Sequence, residues 1–136
     1  MAQEIHSFRE LRSYQNAFAL QQDIFQISKV WPRDEKFSLT DQVRRSSRSI
    51  GANISESWAK RVYPSHFVSK LTDADGELQE TSHWIATAFA CKYIAEKQHR
   101  DFQARIEEIG KSLGRMMSMP EKFVPKVNRR SSASNL

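Results

Sequence analysis

Leu39-Thr40-Asp41-Gln42-Val43-Arg44-Arg45-Ser46-Ser47-Arg48-Ser49-Ile50-Gly51-Ala52-Asn53-Ile54 is the run of residues from which the architecture can be read. At about 100° per residue, Leu39, Val43, Ser46, Ser47, Ile50 and Ile54 gather on one side, which is the pattern of an amphipathic helix facing a core. Ser46 and Ser47 are small, so another helix can approach closely there. Gly51 lowers helix propensity by up to ~1 kcal/mol relative to alanine and marks either a bend or a tight contact. Ser38-Leu39-Thr40-Asp41 offers a capping arrangement at the start, with Asp41 suited to the positive end of the helix dipole. The predicted helix runs from Ser38 to Val62, with Trp58 bordering its apolar side.

Three further periodic segments flank it. Ser7-Phe8-Arg9-Glu10 has the form of a capping box and opens a helix expected from Phe8 to Trp31, before Pro32. Its apolar surface is wide: Ala17, Leu20, Ile24, Ile27 and Trp31 make one stripe, and Leu11, Tyr14, Phe18 and Phe25 another. The excess over one bundle seam suggests burial against a second subunit. Pro64 restarts the chain, and Phe67, Leu71, Ala74, Leu78, Ile85 and Phe89 align on a helix expected to reach Tyr93. The last helix is expected from Glu96 to Ser118, with Phe102, Ile106, Ile109, Leu113, Met116 and Met117 as its stripe. Four helices with short connections predict an all-α, up-and-down antiparallel four-helix bundle over residues 1–119, oligomeric. Residues 120–136 are basic and polar and are expected to form a flexible tail.

Composition agrees with that architecture. A chain of 136 residues with 39% hydrophobic content supplies one core. Four glycines and four prolines favour long elements over many short strands. Cys91 is the single cysteine, which excludes an internal disulfide and a cysteine-based zinc cluster, fits a reducing compartment, and reads as a buried small apolar residue. No segment approaches the ~20 apolar residues of a membrane span, and the first residues lack signal-peptide character, so a soluble cytoplasmic protein is expected.

The formal net charge is +5, unevenly spread. Residues 38–62 carry five Lys/Arg against two Asp/Glu, a net +3, and residues 120–136 four against one, also +3. Arg44, Arg45 and Arg48 project away from the apolar stripe, and Lys60 and Arg61 extend the charge. Repeated around an oligomer, such a face contacts several phosphates at once and binds in a salt-dependent way. RNA or DNA is the functional reading. Its alternatives are arginines paired with Asp73, Glu77 and Glu80, or a scaffold docking an acidic protein without nucleic acid. Tyr14, Trp31, Trp58, Tyr63 and Trp84 are suited to base stacking, though helical packing accounts for each more simply.

Nothing in the sequence demands catalysis. Glu80-Thr81-Ser82-His83 has the Glu-x-x-His spacing of di-iron bundles, but it occurs once and points away from the apolar stripe. The serines lack a nucleophile elbow, the glycines lack phosphate-loop spacing, and His6, His66, His83 and His99 have no recognisable partners. No cofactor and no metal are expected.

Phe8-Arg9-Glu10-Leu11-Arg12-Ser13-Tyr14-Gln15, Leu39-Thr40-Asp41-Gln42-Val43-Arg44-Arg45-Ser46 and Ile50-Gly51-Ala52-Asn53-Ile54-Ser55-Glu56-Ser57-Trp58 together resemble the bacterial four-helix-bundle family named for proteins encoded in 23S ribosomal RNA intervening sequences. That family includes the accessory variability proteins of diversity-generating retroelements. The resemblance spans Phe8 to Met117; the family usually carries proline where this chain has Gly51. It implies a homopentamer with a nucleic-acid-associated, non-catalytic role and, in the retroelement branch, a reverse transcriptase and its RNA template as partners. Arg44, Arg45 and Arg48 coincide with the family's basic segment. Asn53 and Glu56 are motif positions for which a helix-packing role is expected.

Overall fold

The computed structural model describes residues 4–125, and these form a four-helix bundle. Helix α1 spans Arg12–Ser28, α2 Asp41–Ala59, α3 Pro64–Ala90 and α4 Glu96–Ser118. Consecutive helices pack side by side and α4 closes back on α1, the up-and-down arrangement that short connections dictate. The α2–α3 seam is the most extensive and the α1–α4 seam the least.

The core is built from the stripes the periodicity marks. Ala17, Leu20 and Ile24 of α1 meet Val43, Ile50 and Ile54 of α2, Phe67, Leu71, Leu78 and Ile85 of α3, and Ile109 and Leu113 of α4, all fully buried. Full burial of each such large side chain is worth about 1.5–3 kcal/mol relative to exposure. Ser46 and Ser47 are also fully buried, and their size lets α2 lie close to α3. Ser46 Oγ and Thr81 Oγ1 share a hydrogen bond of 2.8 Å across that seam. Gly51 is buried in the helix interior, but a Cβ there would meet Tyr14 Cε2 at 3.7 Å and Gln21 Oε1 at 3.9 Å, both ordinary contacts.

The helix ends depart from their expected positions, each for a local reason. Ser7 Oγ accepts from the Arg9 amide and the Glu10 carboxylate from the His6 amide, so these caps serve a separate 3-10 turn, Phe8–Glu10. Leu11 is then extended and buried, and α1 starts one residue later. At its other end α1 stops at Ser28, while Trp31 still reaches the core and lies beside Tyr93. Ser38 does not cap α2: it sits within a π-helical turn, Lys36–Thr40, that winds directly into the helix. Helix α2 ends at Ala59, three residues short of Val62.

Helix α3 stops at Ala90, not Tyr93, in a Schellman arrangement: the Tyr93 amide donates to Ala88 O and the Lys92 amide to Phe89 O, each at 2.9 Å. Lys92 takes the left-handed position, with φ of 66°. Because the helix ends there, Cys91 is exposed, which corrects the reading of it as a core residue. Beyond Pro120 the chain makes a 3-10 turn, Pro120–Phe123, and Phe123 stacks on buried Phe67 with ring centroids 5.0 Å apart. The first residues assigned to a flexible tail thus belong to the bundle; the rest of that expectation, from residue 126 on, lies outside the described residues. No described helix is long and apolar enough to cross a membrane.

Candidate nucleic-acid interface

The three arginines of α2 do not form one face. Arg44 and Arg48 are four residues apart and therefore neighbours on the α1 side of the helix, whereas Arg45 is rotated about 100° toward α3. There Arg45 bonds to the Glu77 carboxylate at 3.1 Å and also to Glu80. Both Nη groups are thereby engaged, which is the structural pairing weighed against nucleic-acid contact.

Arg44 and Arg48 instead converge on the partly buried ring of Phe25 in α1. The Arg44 guanidinium lies 4.8 Å from the ring centroid, that of Arg48 5.4 Å, and the Lys29 ammonium 4.8 Å. Each such contact contributes about 0.5–1 kcal/mol at an exposed site. Arg44 Nε also donates to Ser28 Oγ at 2.8 Å, at the negative end of the α1 dipole. Among the described residues no carboxylate lies within ion-pair distance of Lys29, Arg44 or Arg48. Three cations held around one aromatic ring, without a counter-charge, leave their remaining donors for an anion. Lys29 is not marked by the sequence, because nothing in the order along the chain shows that it meets Arg44 and Arg48 of α2 around Phe25.

Further along the same side of α1, Phe18 is 46% exposed and Tyr14 lies next to it, ring centroids 6.1 Å apart. Both belong to the second apolar stripe of the first helix, which is thus only partly covered within one chain. The other basic candidates are placed elsewhere. Lys60 is exposed and follows α2, not on it. Arg61 lies over Trp58 at 3.9 Å and donates to the Trp58 carbonyl at 2.7 Å, and burial there lowers its pKa. Among the aromatic candidates Trp31 is buried, Trp58 and Trp84 are partly buried, and Tyr63 is exposed.

The motif positions Asn53 and Glu56 make helix contacts. Asn53 Nδ2 donates to Ser49 O at 2.9 Å, and Glu56 pairs with Lys70 of α3 at 2.6 Å. The hydrogen bond and charge of Lys70 lower the Glu56 pKa, and Glu56 in turn raises that of Lys70. The Glu80-x-x-His83 pair is not arranged around a metal: Glu80 is held by Arg45 and accepts from Trp84 Nε1 at 3.4 Å, and His83 packs edge-on against Trp84. Between the α1–α2 and α3–α4 connections, Tyr93 donates its hydroxyl to the Glu35 carboxylate at 2.8 Å. That hydrogen bond, followed by burial and the Glu35 charge, pushes the phenol up to about 12.

Fold and surface together define a four-helix-bundle protein whose distinctive exposed feature is a cationic cluster on its α1–α2 side. The chain belongs to the 23S rRNA-intervening sequence protein family, whose model matches residues 9–115. It is similar to a crystal structure from Bacteroides thetaiotaomicron VPI-5482, described as a protein with unknown function from the S23 ribosomal protein family. That likeness has 26% sequence identity and a TM-score of 0.69, and it covers 78% of this chain and 95% of the other. No curated protein matches the chain.

Proposed function

We propose that this protein is a non-catalytic, nucleic-acid-binding accessory protein that works in the cytoplasm as a homo-oligomer. The observation that carries the reading is the gathering of Lys29, Arg44 and Arg48 around Phe25 with no carboxylate among the described residues within ion-pair distance of them. Cations with free donors beside aromatic rings suit a phosphate backbone, and repetition of the cluster by symmetry multiplies the contacts. Lys60, past the far end of α2, is a separate candidate contact, whereas Arg45 and Arg61 act mainly in packing. The resemblance drawn from the sequence makes that assembly a pentamer and makes a reverse transcriptase with its RNA template the candidate partners.

The test is binding of labelled RNA and duplex DNA across a salt series, comparing the wild type with Lys29→Glu/Arg48→Glu. Affinity that falls with salt and is lost in the variant supports the reading. Unchanged binding in the variant overturns the assignment of the surface. Absence of binding at low salt overturns the nucleic-acid role, and a protein partner that survives nuclease treatment then favours the scaffold reading. Sedimentation of the purified protein as a monomer at working concentration overturns the oligomer.

A further inference from the structure

We infer that the α1–α2 face takes a single-stranded polynucleotide rather than a duplex, with phosphates at the Phe25 cluster and an unstacked base on Phe18; this rests on the nucleic-acid reading above. Three features of the face point to it. The cations are not spread along a line that could follow a duplex backbone. All three lie within 5.4 Å of one ring centroid, which suits one or two adjacent phosphates. Phe18 is seven residues from Phe25, about 10 Å along the helix axis, which is within reach of the next base or two of an extended strand. Its ring is nearly half exposed on the side of a helix, where it can meet the π-face of a base only if that base is out of its stack.

Behind this strip α1 packs on α2: Gly51 is buried there, and an added Cβ would be in ordinary contact with Tyr14 Cε2 at 3.7 Å and Gln21 Oε1 at 3.9 Å. Tyr14 backs Phe18 from within α1 and is itself packed edge-on against Phe8, ring centroids 4.9 Å apart. The stacking platform is therefore supported from behind, and its order does not have to be supplied by the ligand. Between Phe18 and Phe25 the α1 surface is polar, with the Gln21 amide donating to Gln22 at 3.2 Å. Recognition of this kind is tolerant of sequence, because every base has a π-face and the phosphates carry no sequence information.

The experiment measures the affinity of the full chain for a labelled oligo(dT) or oligo(U) and for a duplex of equal length, using wild type, Phe18→Ala, Phe18→Trp and Arg48→Glu, with Lys111→Glu on α4 as a control. The single strand is expected to bind at least roughly tenfold tighter than the duplex. Phe18→Ala is expected to weaken it roughly 5- to 100-fold without changing duplex binding. Neutralising one or two phosphates predicts a log–log salt slope of about −0.7 to −1.4 per protomer for the single strand. Phe18→Trp should retain binding, and its added fluorescence should be quenched by the single strand. Equal affinity for both forms, or a Phe18→Ala protein that binds the single strand as the wild type does, overturns the inference; if Arg48→Glu still abolishes binding, the nucleic-acid reading stands. A Phe18→Trp protein that binds without quenching also overturns it. Failure of every oligonucleotide to bind at low salt overturns both.

Discussion

Ser46 Oγ and Thr81 Oγ1 stand 2.8 Å apart in the α2–α3 seam, and neither residue has any solvent exposure. Each hydroxyl also has a backbone acceptor in its own helix, Val43 O for Ser46 and Glu77 O for Thr81. Each hydroxyl has one proton, so one of them donates across the seam and the other to its own helix, and neither buried group is left without a partner. Thr81→Val keeps the shape but leaves Ser46 short of a partner, and should cost about 1–2 kcal/mol in urea unfolding. Adding Ser46→Ala should cost less than the sum of the single changes, because no buried hydroxyl is then left incomplete.

Arg45 and Arg48 should separate stability from binding. Arg45→Gln leaves Glu77 and Glu80 facing each other, three residues apart on α3, and should cost about 0.5–1 kcal/mol, less at high salt. Arg48→Gln removes no hydrogen bond or ion pair and should leave the unfolding midpoint within about 0.5 kcal/mol of wild type. Its oligonucleotide affinity should fall. Thermal unfolding and anisotropy on the same preparations check both statements.

Tyr93 is predicted to ionise late. Its folded pKa is pushed up to about 12 by the Glu35 carboxylate, against an ordinary value near 10. A raised pKa means that the neutral phenol is favoured in the fold. Its contribution to stability is therefore complete below about pH 10 and disappears as pH rises toward about 12. Ultraviolet titration should resolve a late-ionising phenol, and Glu35→Gln should bring it back toward about 10.

Lys92 holds a left-handed backbone conformation, φ of 66°, at the end of α3. A residue with a Cβ is strained there by about 1 kcal/mol, whereas glycine is not. Lys92→Gly should therefore raise the unfolding free energy measured in urea by about 1 kcal/mol, and Lys92→Ala should not.

Phe123 covers Phe67, so the bundle should not tolerate a stop after Met119. Truncation there, or Phe123→Ala, should cost about 1–2 kcal/mol by exposing apolar surface and removing a ring contact. A truncated protein as stable as the full chain in calorimetry would return the domain boundary to residue 119.

The cores of the helices were legible in the sequence because burial follows a simple period. Val43, Ser46, Ile50 and Ile54 lie on one side of α2 at helical spacing, and all four are fully buried. The ends were less legible. The Ser7–Glu10 signal is a true cap that serves a short turn, and Ser38 is absorbed into a π-helical turn, because both depend on how Leu11 and Leu39 reach the core. Of the candidate interface, Arg44 and Arg48 were visible and Lys29 was not. Arg45 looked equivalent to its neighbours until α3 supplied its two carboxylates.

What the sequence determined by itself was the number of helices, the faces they bury, the concentration of positive charge on the second helix and the likeness to a family, since all of these are properties of order along the chain. What only the tertiary structure decided was which cations are already neutralised and which stand around Phe25 without a counter-charge. A helical period gives the angle of a side chain about its own axis; the partner at that angle belongs to the neighbouring helix, and electrostatic pairing depends on the distance between the two.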